Sequence, residues 1–230
     1  TILAVDNAHG AYLHFLKEKL HPIDLGADIC CDSAHKTLPV LTGGAYLQIS
    51  KNAPEYFIQN AKQAMVLFGS TSPSYLIMSS LDLCNAYLSD GYEKKLAQTV
   101  QKLENLREKL RKEGWLVEQT DPLKLTIRSE PIYVCEQIGN TECESSLYHM
   151  TGIEIAEELR KAQIECEYAD ENYLVLMVTP ENTEEDFKKL EEKMQVIAGQ
   201  YKKYSKEKEN DCVKSLYEKA EQNQQKNEKR

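Results

Sequence analysis

Val5-Asp6-Asn7-Ala8-His9-Gly10 and Asp32-Ser33-Ala34-His35-Lys36-Thr37 are the two stretches that decide the fold. Each follows a short apolar run that reads as a buried strand, Ile2 to Val5 and Ala27 to Cys31, so both point at the same edge of one sheet. After the first run, Asp6 to Gly10 reads as a turn and Ala11 to Leu20 as a helix, with Leu13, Leu16, Lys17 and Leu20 at helical spacing. Gly44 to Ile49 is a third strand candidate. Strands alternating with helical stretches predict an α/β domain with a mainly parallel sheet, in which ligands bind beyond the carboxyl ends of the strands.

Outward from these segments, the text from Thr1 to about Leu88 is apolar, punctuated and sparsely charged. Tyr92 to Glu113 predicts one long amphipathic helix, because Leu96, Val100, Leu103, Leu106 and Leu110 recur at three- and four-residue steps and Gly114 stands where a helix stops. Trp115 to Glu118, Leu123 to Arg128 and Tyr173 to Thr179 read as strands. Thr151-Gly152-Ile153-Glu154 reads as a capping box opening a helix to Gln163, and Thr183 to Asp186 repeats the pattern before a helix to Ala198. The expected division is a major domain over 1–114, a small α+β domain over 115–199 and a charged helical or disordered tail over 200–230.

The 230 residues are 41% hydrophobic and 28% charged, enough for one large domain or two modest ones. A net charge of -9 disfavours an electrostatic grip on nucleic acid or anionic lipid, so neither is an expected partner. The longest apolar runs, Tyr173 to Val178 and Ala64 to Phe68, fall far short of the roughly 20 residues of a membrane-spanning helix. Seven cysteines, odd in number and thinly spread, suit a reducing compartment, and the expected location is cytoplasmic. The chain begins at Thr1 and enters an apolar run at once, which reads as a piece of a longer protein.

A carboxylate at one strand end and a lysine at another, with small residues and a histidine between them, suit pyridoxal 5'-phosphate chemistry. Lys36 would form the Schiff base. Asp6 would pair with the pyridinium nitrogen and so keep the ring able to accept the electron pair left at a substrate's α-carbon. Ser33 and His35 flank the lysine as candidate donors to the cofactor phosphate, and Ala8 is small enough to lie against the ring.

The same residues carry a family resemblance. Asp32 to Ala45, D-S-A-H-K-T-L-P-V-L-T-G-G-A, is similar to the lysine segment of the ornithine, lysine and arginine decarboxylases of fold type I, and Val5 to Gly10 resembles their V-D-E-A-H-G segment with Asn7 in place of Glu. Phe68 to Tyr75 resembles their T-S-P-S region, which implies that Ser70, Thr71 and Ser72 reach the cofactor phosphate of a neighbouring subunit and that the protein is a homodimer. Asp121 to Thr126, Tyr168 to Glu171 and Thr179 to Thr183 look like the start of the family's C-terminal region, so the resemblance covers Thr1 to about Ala198. It implies decarboxylation of arginine, lysine or ornithine to the corresponding amine, a step of polyamine biosynthesis, with catalytic Lys36 and Asp6. It also implies cofactor contacts from Ala8, His9, Ser33 and His35. The family chains are about twice as long, and the phosphate loop and ring-stacking residue of their amino-terminal half have no counterpart here.

Plainer readings stand beside these. His9 stabilises its turn by default, and Ser70 to Ser72 would otherwise be a loop or helix cap before Pro73. Cys30 and Cys31 behave as small hydrophobes on a strand, and Cys135, Cys143, His149 and Cys166 lack the paired spacing of a zinc site, so no metal is expected. The first arginine is Arg107, so no guanidinium stands near the predicted site; Arg128 is by default a surface ion-pair partner. Val5 to His9 superficially resembles a helicase box, but the chain has no phosphate-binding G-x-x-x-x-G-K-[ST] loop. A non-catalytic or incomplete form of the family enzyme, or an aminotransferase or lyase of the same fold, remains the alternative.

Overall fold

The computed structural model describes residues 1–119, 121–129 and 150–200, together with the backbone of 133–138 and 141–146. It divides into two compact units, Thr1–Thr99 and Val100–Arg230. The boundary lies inside one long helix.

The first unit holds a three-stranded sheet in the order β1-β2-β3, made of β1 (Ala4–Asp6), β2 (Ile29–Asp32) and β3 (Tyr46–Ile49). β1 and β2 pair in parallel, with Asp6 opposite Cys31, whereas β3 runs antiparallel to β2, with Tyr46 opposite Asp32. The antiparallel step departs from the mainly parallel expectation within this segment and has a local cause. The chain leaves β2 through the four-residue helix α1 (Ala34–Thr37), turns at Leu41–Gly44, and returns at the same edge without a crossover to the far end. β1 is an edge strand whose residues are mostly exposed, not the buried strand expected, and Ile2 and Leu3 before it are each 53% exposed.

The helix expected over Ala11 to Leu20 shrinks to a single 3-10 turn at Leu13–Phe15. Tyr12 and Leu16 are buried at helical spacing, but Lys19 Nζ donates to the His14 carbonyl at 2.6 Å, and the Leu20 N–H turns back to Leu13. Pro22 biases the residue before it away from helical geometry. Two helices that the sequence reading left unassigned follow β3: α2 (Glu55–Phe68) and α3 (Tyr75–Ser89), the latter capped by Ser74.

α4 (Tyr92–Glu113) has the bounds its leucine spacing predicts, and Gly114, at φ +101°, takes the left-handed conformation that ends it. Within the second unit Leu103, Leu106 and Leu110 of α4 are buried, as are Leu125, Ile127, Leu174 and Leu176 of its sheet. That unit's four-stranded antiparallel sheet runs β4 (Leu116–Glu118), β5 (Lys124–Arg128), β9 (Tyr173–Met177), β8 (Tyr168–Ala169). A separate hairpin pairs β6 (Tyr133–Ile138) with β7 (Thr141–Ser146). α5 (Gly152–Lys161) opens on the predicted capping box, and a helix α6 covers 184–200. Residues 201–230 of the expected 200–230 tail and His149 lie outside the described residues, as do the side chains of Cys135 and Cys143.

Candidate functional site at the carboxyl edge of the first sheet

Asp6 is the last residue of β1 and Asp32 the last of β2, so the parallel pairing brings both strand ends to one edge. The ladder runs one residue further, with Asn7 N–H donating to the Cys31 carbonyl at 2.9 Å, and Gly10 N–H closes the turn on the Asn7 carbonyl at 3.1 Å. α1 begins directly beyond β2. Ser33 stands at its N-cap without capping any backbone N–H by its side chain, and Lys36 N–H donates to the Ser33 carbonyl at 3.0 Å. Lys36 is therefore carried one helical turn beyond the strand end.

The exposed Lys36 Nζ lies 3.4 Å from His9 Nε2, across from the turn that follows Asp6. Asp6 is exposed too, and among the described residues nothing donates a hydrogen bond to its carboxylate. His35 Nδ1 donates to the Gly44 carbonyl at 3.0 Å, which fixes the ring on the Leu41–Gly44 turn. A neutral His35 then offers only a lone pair at Nε2, so donation to a phosphate there requires the protonated ring. Ala8 and Ser33 are half-buried on the same edge. Ser70, Thr71 and Ser72 lie exposed between α2 and α3, where Ser72 N–H donates to Ser70 Oγ at 3.1 Å. Among the described residues no hydrogen bond or ion pair joins them to the Asp6–Lys36 edge. Arg128 Nε pairs with Glu118 Oε1 at 3.1 Å, a partly exposed cross-strand ion pair between β5 and β4.

Beneath the edge lies a buried group the sequence reading did not single out. Asp32, 1% exposed, accepts from Asn7 Nδ2 at 2.8 Å and from His21 Nε2 at 3.0 Å, and the Cys30 thiol points at it from 3.4 Å. Burial, then the adjacent Asp32 carboxylate, push the Cys30 thiol up to about 12, so it is no nucleophile at neutral pH. Burial, then Asp6, raise the Cys31 thiol as well. His21, Cys30 and Asp32 have the mutual spacing of a metal-ligand set. The histidine tautomer argues otherwise. Ile23 N–H donates to His21 Nδ1 at 3.2 Å, which puts the ring proton on Nε2; a metal at Nε2 would move that proton to Nδ1, against another donor. No local motif announces this group, because His21 and Asp32 are eleven residues apart and meet only through the fold.

Residues 1–127 match the family described as Orn/Lys/Arg decarboxylase, major domain. The chain belongs to that family. Among its relatives, the uncharacterized protein YaaO of Bacillus subtilis is 35% identical over 189 residues, covering 76% of this chain and 35% of the relative. The arginine decarboxylase of Bacillus subtilis is 26% identical over 201 residues, covering 85% of this chain and 39% of that protein. The chain thus spans between a third and two fifths of the length of these two relatives. The crystal structure of the Francisella novicida lysine decarboxylase LdcF superposes with a TM-score of 0.67 at 19% identity, covering 87% of this chain and 33% of that one. The NifS-like protein of Rickettsia africae superposes at 0.57 with 17% identity, covering 85% of this chain and 53% of that one. These likenesses give this family member the fold type I architecture.

Proposed function

We propose that this chain is the lysine-bearing part of a pyridoxal 5'-phosphate enzyme that decarboxylates a basic amino acid, arginine, lysine or ornithine, to the corresponding amine. The observation that carries the reading is the sheet edge on which the Asp6 carboxylate and the Lys36 amine stand at neighbouring parallel strand ends, in a chain of the Orn/Lys/Arg decarboxylase family. The donor set fits the cofactor: an exposed amine for its aldehyde, a carboxylate to which no described residue donates for its ring nitrogen, and a Ser33 hydroxyl that caps no backbone N–H for its phosphate. When bound, pyridoxal phosphate supplies an electron sink for the pair left on the α-carbon as carbon dioxide departs.

The protein's own residues have the following roles. Lys36 Nζ is the attachment point and must lose a proton to act, and His9 Nε2, 3.4 Å away, is placed to accept it. Asp6 would hold the ring-nitrogen proton, Ala8 would leave room beside the ring, and Ser33 and a protonated His35 would donate to the phosphate. A homodimer belongs to the same reading. α2 has no buried residue, and Ser70, Thr71 and Ser72 lie between it and α3, on a surface open to a second copy. The amino-acid substrate is the small-molecule partner, and a cytoplasmic location is part of the proposal. No described helix is long and apolar enough to cross a membrane.

One observation favours a second reading, in which this chain alone is incomplete. Asp6 and Lys36 are exposed, and Ile2 and Leu3 beside β1 stand uncovered, as for a site finished by further protein surface. One experiment separates the two. The purified chain is given pyridoxal phosphate, freed of excess and scanned in the visible range, with Lys36→Ala as control. A Lys36-dependent band followed by carbon dioxide release from arginine, lysine or ornithine supports the enzyme. No band in the chain alone favours the incomplete form, and a band that survives Lys36→Ala refutes the lysine assignment.

A further inference from the structure

The Asp32 cluster joins the two segments that carry the proposed site. Asn7 follows Asp6 and begins the turn that carries His9; Asp32 precedes Ser33 and the helix that carries Lys36. The 2.8 Å hydrogen bond from Asn7 Nδ2 to Asp32 Oδ1 is the buried side-chain link between them, next to the backbone bond from Asn7 to Cys31 and beneath the exposed Lys36–His9 contact. Asp32 is held from behind by His21 Nε2, whose own orientation is fixed by Ile23 N–H. From the other side Gly10 closes over the Asn7 amide: a Cβ at position 10 would stand 2.0 Å from Asn7 Oδ1. The amide is gripped between a buried carboxylate and a glycine backbone, and only a donor at position 7 suits that grip. A carboxylate there would face Asp32 with no cation between them.

We propose that Asn7 and Asp32 are a matched pair and that Asp32 is a positioning residue: by holding the Asn7 amide it sets the 7–10 turn, and with it His9 against Lys36. The position where the resembling segment carries Glu carries Asn here because Asp32 lies beneath it. The link to catalysis rests on the proposed function, whereas the pairing does not.

The test exchanges the two groups in the full chain. Asn7→Asp sets two carboxylates face to face and is expected to lower the thermal midpoint by roughly 10 °C, and Asp32→Asn by less. The combined Asn7→Asp, Asp32→Asn swap restores a carboxylate–amide pair of the same size, so most of the lost midpoint returns and the effects are strongly non-additive. The second readout is the imidazole nitrogen signal of His9 in histidine-labelled protein, identified with His9→Gln and read well below every midpoint. It shifts in Asn7→Asp and returns in the swap, while exposed His14, paired with Asp24, holds still as the control. Additive midpoints overturn the matched pair. Coupled midpoints with an unmoved His9 signal reduce the cluster to local packing and overturn the positioning role. If pyridoxal phosphate gives no Lys36-dependent band, the proposed function fails for this chain, and these two readouts still decide the pair.

Discussion

Arg107 is a fully buried cation of the second unit. Its side chain is 1% exposed; Nη1 meets Glu104 Oε2 at 2.9 Å, and Nη2 donates to the carbonyls of Asp121 at 2.7 Å and Lys124 at 2.5 Å. One guanidinium therefore joins α4 to the loop that opens β5. Arg107→Met would fill much of the space but leave two carbonyls without their donor and Glu104 with only the longer contact to Arg111, at 3.4 Å. Urea unfolding is expected to show a loss of about 3 kcal/mol. Arg107→Lys should recover little, since an ammonium cannot reproduce the planar fork; a loss under about 1 kcal/mol for Arg107→Met would sink the argument. Glu104 adds a pH signature. Burial pushes its carboxyl up, but hydrogen bonds and charge from Arg107, then Arg111, outweigh that and leave it below the ordinary 4.5. A carboxyl depressed by folding stabilises at pH above its unfolded value, and that stability is lost as pH falls through the lower folded value. Between about pH 5 and pH 3 the wild type should therefore lose stability more steeply than Glu104→Gln. Equal slopes in unfolding scans would remove Glu104 from the account.

At the scale of the element, local chemistry was legible wherever an element carries its own signal. α4 shows its leucine stripe, and α5 shows its box: Glu154 N–H donates to Thr151 Oγ1 at 3.2 Å while Thr151 N–H donates to Glu154 Oε2 at 2.8 Å. Thr183 and Asp186 form the same reciprocal pair at the start of α6, at 2.7 and 3.2 Å. Thr151→Ala removes the hydroxyl that accepts from Glu154 N–H and leaves only the backbone half of the box; it is expected to cost about 1 kcal/mol in thermal unfolding, with Thr151→Ser retaining most of the stability. No difference between the two substitutions would show that the cap contributes nothing. α3 was illegible for the opposite reason, since apolar side chains lie on several of its faces and blur the amphipathic period, and α2 buries none of its residues. The stretch over Ala11 to Leu20 misled because Tyr12 and Leu16 sit at helical spacing, although non-helical hydrogen bonds from Lys19 and Leu20 back to the His14 and Leu13 carbonyls decide its path. The site divides in the same way. Asp6 and Lys36 followed from strand ends and stand on one edge. Asp32 and His21 meet through a packing that no spacing rule encodes.

For the molecule as a whole, the distribution of apolar surface in the first unit calls for another protein surface. Among the described residues, half of the large apolar side chains that face solvent belong to α2 and α3. Phe68 is 91% exposed, Tyr75 83%, Leu76 74% and Leu67 72%, on both sides of the Ser70–Ser72 loop. Single exposed apolar residues are ordinary, but this concentration on two consecutive helices is the signature of an interface. If a second copy covers it, the chain should sediment as a concentration-dependent dimer at micromolar loading. Leu67→Glu with Phe68→Glu should then shift it to monomer, because burying two carboxylates without partners opposes association. Each helix keeps its backbone pattern in that variant, so far-ultraviolet circular dichroism should be unchanged. A wild-type chain that stays monomeric at about a hundred micromolar, well above the dissociation constants of ordinary specific complexes, would show that the surface is covered by something other than a copy of this chain. A dimer that survives both glutamates would place the interface elsewhere. Only the dimer that dissolves on these substitutions puts Ser70, Thr71 and Ser72 at the seam where the proposed shared site requires them.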